Sequence, residues 1–182
     1  MTGRDGLYVD GTVGTGGHAE KILESSGEGV RLLGIDRDPR AIEEAGKILA
    51  RFEGRADLLQ GDFSNIEMFL AGAACEGFLL DLGISTLQIE DGERGIGCLG
   101  DGPLDMSMGP GSRDVARLLA TAGDDEIASI LRKFGEERRS RRVAREIVRR
   151  RAGGRMDRVS DLRAAVAAAV PPDRLVSSLA RV

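Results

Sequence analysis

The stretch YVDGTVGTGGHAEKI, residues 8–22, sets glycines 11, 14, 16 and 17 between an apolar run and a helix-forming one. Residues 7–9 are apolar and suit a short buried strand, whereas residues 19–23 suit the first turns of a helix. A strand, a glycine turn and a helix in that order leave backbone N–H groups and a helix N-terminus facing a ligand.

The same alternation continues downstream. Residues 7–10, 31–36, 56–60 and 77–83 are short apolar runs that read as buried parallel strands. Helix-forming segments separate them at 17–25, 39–52 and 64–71, with Pro39 suited to a first helical turn and Ser64 to an N-cap. The first 84 residues are therefore expected to form a partial doubly wound, Rossmann-like α/β sheet that starts in the order 3-2-1-4.

The character changes after Ser85. Residues 86–112 hold seven glycines and two prolines without a sustained period and read as a long loop. Helical signals follow: Ser112 and Asp124 as caps, then Ile127, Ile130, Leu131 and Phe134 at spacings of three and four. Val143 and Ile147 extend the pattern, and Ser160 opens an alanine-rich helix that stops at Pro171 and Pro172. The expected division is 1–111 for the α/β part and 112–182 for an all-helical insert, in a chain long enough for one full domain and an appendage.

Charge is uneven. The net charge is −4, yet residues 131–158 carry twelve Lys or Arg against four acids, a balance of +8. The other fourteen basic and twenty-six acidic residues leave −12 elsewhere. Between 138 and 151 stand eight arginines and one acid, a pattern suited to a polyanion rather than to a balanced solvated face. Cys75 and Cys98 lack neighbours at ligand spacing, so neither a disulfide nor a zinc site is expected, and no metal is called for. No apolar run reaches bilayer length and no leader precedes the glycine turn, which predicts a soluble, cytoplasmic chain with no membrane partner.

Which ligand the turn holds depends on the strand ends. GTGGHA, residues 14–19, fits G-x-G-x-x-G/A, and Asp36 closes the second strand where an acid meets a ribose diol. Asp62 follows the third strand, placed to accept from an adenine amino group, with Phe63 beside it to cover a base face. Asp81 ends the fourth strand, and Asp10 the first. Four acids at one rim repel the pyrophosphate of NAD but suit a cofactor with a sulfonium, an ammonium group and a diol, as in S-adenosylmethionine.

YVDGTVGTGGH, LLGIDRDPRAI, LLDLGIS, ERGIG, DGPLDM and FGEERRSRRVAREIV together resemble the MraW family, also called RsmH. The resemblance runs from about Asp5 to the end of the chain. It implies an S-adenosylmethionine-dependent methyltransferase acting on the exocyclic N4 amine of a cytidine in 16S ribosomal RNA, with the small ribosomal subunit as partner. It further implies that Gly16, Gly17 and His18 touch the methionine end of the cofactor, that Asp36 holds the ribose, and that Phe63, Asp81 and Gln88 complete the site. The amine of cytosine is a poor nucleophile, so a hydrogen-bond acceptor must meet it as it becomes tetrahedral; Asp81, or the carbonyls beside it, is the candidate catalytic group.

The chain departs from the family pattern in places. Leu87 stands where a proline is usual, and Ile96, Gly97 and Cys98 replace an aromatic stretch. An opening HxPVLL and a later SFHSLED are absent, which reads as truncation at both ends and predicts an open sheet edge at residues 77–83, prone to self-association. Two other functions stay open on the residues: a catalytically weak RNA-binding or interaction protein, and an NAD-dependent oxidoreductase that would explain the glycine turn alone.

Overall fold

The computed structural model describes residues 4–85, 88–89, 91–97, 100–107 and 115–182; Thr86, Leu87, Cys98 and the expected cap Ser112 lie outside them. The chain divides into two compact units, residues 4–85 and the described residues from 88 onward. Among the described residues no helix is long and apolar enough to cross a membrane.

The first unit is built on four parallel strands, β1 Gly6–Asp10, β2 Val30–Asp36, β3 Ala56–Gln60 and β4 Gly77–Leu79, in the order β3-β2-β1-β4. In register, Val9 stands opposite Leu33 on one side and Phe78 on the other. Successive side chains of a strand point to opposite faces, and each face has its own cover. Val30 and Leu32 pack with Ala19 and Leu23 of α1 (Gly17–Glu24) and with Ala45 and Leu49 of α2 (Pro39–Leu49). Val9, Leu33 and Ile35 pack against Ile66, Phe69 and Leu70 of α3 (Ile66–Leu70). Helices on both faces make this a doubly wound α/β unit.

Local chemistry sets the helix starts. Pro39 occupies the first turn of α2, and Asp38 caps it by accepting from the Arg40 amide at 3.0 Å. Ser64 does not cap the third helix as expected. A short 3-10 turn, Phe63–Asn65, precedes α3: Asp62 caps that turn by accepting from the Ser64 amide at 2.9 Å, and Asn65 stands at the N-cap of α3 without a side-chain bond. Strand β4 also ends earlier than the apolar run suggests. Its pairing stops where Leu79 meets Asp10, after which β1 turns away at Gly11.

The second unit is helical: α4 Val115–Thr121, α5 Asp124–Lys133, α6 Ser140–Ala152, α7 Val159–Ala169 and α8 Leu175–Leu179. Its core joins Ile127 and Leu131 of α5, Val143 and Ile147 of α6, and Leu162 and Val166 of α7. Gly123, not Asp124, is the N-cap of α5; Asp124, Asp125 and Glu126 fill the first turn, where the helix dipole favours acids. Helix α7 starts one residue before Ser160, and Asp161 accepts from the Asp157 and Arg158 amides ahead of it.

The described part of the long loop belongs with these helices rather than with the sheet, so the division falls before residue 88 and not at 111. The Leu104 amide donates to Asp157 O at 2.9 Å and the Val159 amide to Gly102 O at 3.1 Å. Leu104 is buried in the helical core. Two glycines permit this close backbone packing: a Cβ on Gly95, at φ +63, would fall 1.9 Å from Pro103 O, and one on Gly102 1.8 Å from Gly92 O.

Candidate functional site

At the carboxyl ends of the strands the glycine turn is held from three sides. The Gly11 amide donates to Leu79 O of β4 at 2.9 Å, the Val13 amide to Ile35 O of β2 at 2.9 Å, and the Gly14 amide to Asp36 Oδ2 at 2.9 Å. Gly14 and Gly16 have φ of +53 and +94, a region that L-residues with side chains rarely adopt. A Cβ on Gly16 would lie 3.2 Å from Ala45 Cα, so the turn sits directly on α2. A Cβ on Gly17 would meet nothing within 4 Å. Helix α1 therefore opens toward free space, and the amides of Gly17 and His18 have no acceptor among the described residues.

Asp36 is anchored by both oxygens, Oδ2 to Gly14 and Oδ1 to the Asp38 amide at 2.9 Å. Asp81 is positioned by its backbone, whose N–H donates to Thr12 Oγ1 at 2.7 Å. Its exposed carboxylate comes within 3.8 Å of the exposed His18 Nδ1. Thr12 thus joins the β1 turn to the end of β4. Sequence reasoning missed it, although its place directly after the Asp-Gly pair is the available signal. Phe63 is half-buried at the head of the 3-10 turn, on the same side of Gly11 as Phe78 and Leu80.

Asp10 and Asp62 differ from the expected rim. Asp10 is fully buried beneath the turn; Oδ1 accepts from the Thr12 amide at 3.1 Å and Oδ2 has no partner among the described residues. Burial raises its pKa, Asp36 and Asp81 add to the rise, and the Thr12 amide and His18 oppose it. Asp62 is occupied locally. The Ser64 amide, with Arg37 at 3.5 Å, holds its carboxyl below the usual range. Gln88 is buried and belongs to the other unit.

Asp10 carries a pH signature. Its folded pKa lies above its ordinary value, so the folded state binds the proton more tightly than the unfolded chain. The resulting stabilisation is fully present below the ordinary carboxylate pKa and is lost as pH rises through the raised one. Asp10→Asn is expected to remove that slope. Its stability relative to the parent should improve as pH rises above the ordinary carboxylate pKa, measured by urea unfolding at a series of pH values. Parallel pH profiles would show that the carboxyl is not shifted.

The basic segment is divided between jobs. Arg149 and Arg150 each donate to Glu146, at 2.9 Å through Nε, and the first of these contacts leads in lowering the Glu146 pKa. Arg151 donates to Leu119 O and Ala122 O at 2.6 and 2.7 Å, closing the end of α4. Arg145 turns back to Arg141 O, and both line a cavity of about 240 Å³ with Asp124 and Asp125. The side chains of Arg138, Arg139, Arg141 and Arg142 have no acceptor among the described residues. Glu137 does not pair with Arg141; it is buried and accepts from the Arg139 amide at 2.6 Å.

A family model described as the MraW methylase family matches residues 1–180. The chain belongs to the MraW methylase family. A curated relative, Ribosomal RNA small subunit methyltransferase H of Nitrosococcus oceani, is 44% identical over 173 residues, or 92% of this chain and 55% of the relative. The chain thus spans about half the length of the curated relative it matches. A crystal structure of a candidate rRNA-methylase from Clostridium thermocellum aligns at a TM-score of 0.40 and 21% identity, covering 47% of this chain and 49% of that one. In this MraW-family chain the glycine motif forms the β1–α1 turn, DGPLDM docks against α7, and GEER forms the turn between α5 and α6.

Proposed function

We propose that this MraW-family chain binds S-adenosylmethionine at the β1–α1 turn and methylates the N4 amine of a cytidine in 16S ribosomal RNA, in the cytoplasm, on the small ribosomal subunit. The observation that carries the reading is the clamped turn, with Asp36 bonded to Gly14 and Asp81 bonded to Thr12 around an open Gly17. These residues fit the cofactor. Unengaged amides of Gly17 and His18 suit a carboxylate, Asp36 suits a ribose diol, and the acids suit an ammonium and a sulfonium. The carboxylate of Asp81 opposes the pyrophosphate of NAD.

S-adenosylmethionine supplies the electrophilic methyl group when bound. Gly16 lets the turn lie on α2, Gly17 leaves the backbone open to close approach, Phe63 offers an apolar wall to a ring, and Thr12 fixes the chain that carries Asp81. The carboxylate of Asp81 accepts a hydrogen bond from the cytosine amine, orients its lone pair as the nitrogen becomes tetrahedral, and takes the surplus proton out to solvent. No metal enters this scheme.

Asp36→Ala is expected to weaken S-adenosylhomocysteine binding by about 1.5–3 kcal/mol, the worth of a hydrogen bond to a charged group. Calorimetry gives the affinity, and thermal melting in parallel reports whether the turn still folds. Equal affinity in both proteins would reject the cofactor assignment. A methyl-transfer assay on immature small subunits tests the substrate, and labelling of large-subunit RNA instead would reject it. One observation favours a second reading, in which this chain binds cofactor and RNA but turns over weakly. The Asp81 side chain is 70% exposed, and an acceptor in water is a weaker base for the amine than one in a dry site.

A further inference from the structure

Four arginines converge in the helical unit on a cavity of about 460 Å³. Arg138 and Arg139 come from the turn before α6, Arg174 from the 3-10 turn Pro172–Arg174, and Arg181 from the residues after α8; Ser177 and Ser178 add hydroxyls. The fold brings these distant segments together by close backbone contact. A Cβ on Gly135 would fall 1.8 Å from Arg181 O, so only glycine lets the turn lie against the chain end.

The guanidiniums of Arg138, Arg139 and Arg181 have no acceptor among the described residues, and Arg174 has only a loose exposed contact with Asp173 at 3.6 Å. Like charges gathered in one concavity repel one another, and an anion relieves that repulsion. Glu137 lies in the same wall and is 2% exposed. Its Oε1 accepts from the Arg139 amide and its N–H donates to Leu131 O, which anchors the turn presenting both arginines. Its Oε2 is buried without a partner among the described residues. An RNA backbone brings both the phosphate that the guanidiniums call for and a 2′-hydroxyl beside it.

We propose that this cavity is a second RNA contact, a phosphate subsite in which Arg138, Arg139, Arg174 and Arg181 hold the sugar-phosphate backbone of the RNA substrate. The site lies outside the glycine turn and takes no part in methyl transfer. It rests on the reading of the chain as acting on RNA, and it narrows the polyanion contact of residues 138–151 to the α5–α6 turn and adds the α8 end to it.

The test uses fluorescence anisotropy of the 182-residue chain with a single-stranded ribosomal RNA oligonucleotide over a salt series. Arg139→Gln combined with Arg181→Gln should lower RNA affinity by about tenfold or more and flatten the dependence of log affinity on log salt by about 0.7 for each phosphate no longer neutralised. Arg149→Gln, whose partner is Glu146, should leave the slope unchanged. Calorimetry with S-adenosylhomocysteine should give the same affinity in all three proteins, and circular dichroism with thermal melting shows that their helical unit is folded. Parent-like RNA binding by the double variant, or an equal weakening in Arg149→Gln, would overturn the site while leaving the RNA reading intact. Competition by inorganic phosphate as effective as that by RNA would overturn the assignment to a nucleic-acid backbone. A parent chain that binds inorganic phosphate but no RNA would remove the RNA reading itself.

Discussion

Gly16→Ala is expected to destabilise the first unit by about 1–3 kcal/mol and to abolish measurable cofactor binding. The methyl group would have to sit at φ +94 and 3.2 Å from Ala45 Cα, so either the turn opens or α2 moves. Opening the turn also breaks the bond from the Gly16 amide to Val13 O, 2.8 Å long. The neighbouring position should behave in the opposite way. Gly17 lies in α1 at an ordinary φ with nothing within 4 Å of its would-be Cβ, so Gly17→Ala should keep or raise stability by up to about 1 kcal/mol. It should nonetheless lose affinity for S-adenosylhomocysteine, because the added methyl occupies the open side of the turn. Thermal melting with calorimetry on both variants separates the two effects. Full affinity in Gly17→Ala would mean that the cofactor does not approach from that side.

The 182-residue chain is expected to self-associate through the free side of β4. This strand pairs with β1 and, among the described residues, with no strand on its other side. Phe78 is 47% exposed, Leu82 70% and Ile84 54%, an apolar row continuing past the last paired residue. The opposite edge, β3, carries the exposed acid Asp57, which discourages strand addition; β4 carries no charge. Sedimentation should show association that grows with concentration, and Leu82→Lys with Ile84→Lys should shift the population to monomer. A parent chain that stays monomeric at the highest soluble concentration would show that this edge is protected.

The strand order 3-2-1-4 and the bounds of β2 and β3 were legible to within a residue, because buried parallel strands read as continuous apolar runs between helical periods. The glycine turn was legible for a related reason. Positive φ at Gly14 and Gly16 is a local demand that no other residue type meets cheaply, so it is written into the chain itself. Helix starts were less legible. Asn65 stands at the N-cap of α3 in place of Ser64, and Gly123 at that of α5 in place of Asp124, since neighbouring residues can each start a helix and the surrounding packing selects one.

The residues of this chain determined by themselves the doubly wound core, the turn and the family motifs, all of which depend on short-range period and spacing. Tertiary structure alone decided which charges are free. Asp10 and Asp36 both end strands, yet one is sealed beneath the turn with an unpaired oxygen and the other is bonded to Gly14. Eight arginines between 138 and 151 are alike in sequence, but Arg149 and Arg150 are matched by Glu146, Arg151 by the carbonyls ending α4, and Arg138 and Arg139 by nothing but a cavity shared with Arg174 and Arg181. A charge is neutralised or left open by what lies within a few ångströms of it, and residues thirty or forty positions apart reach that distance only after the helices have packed.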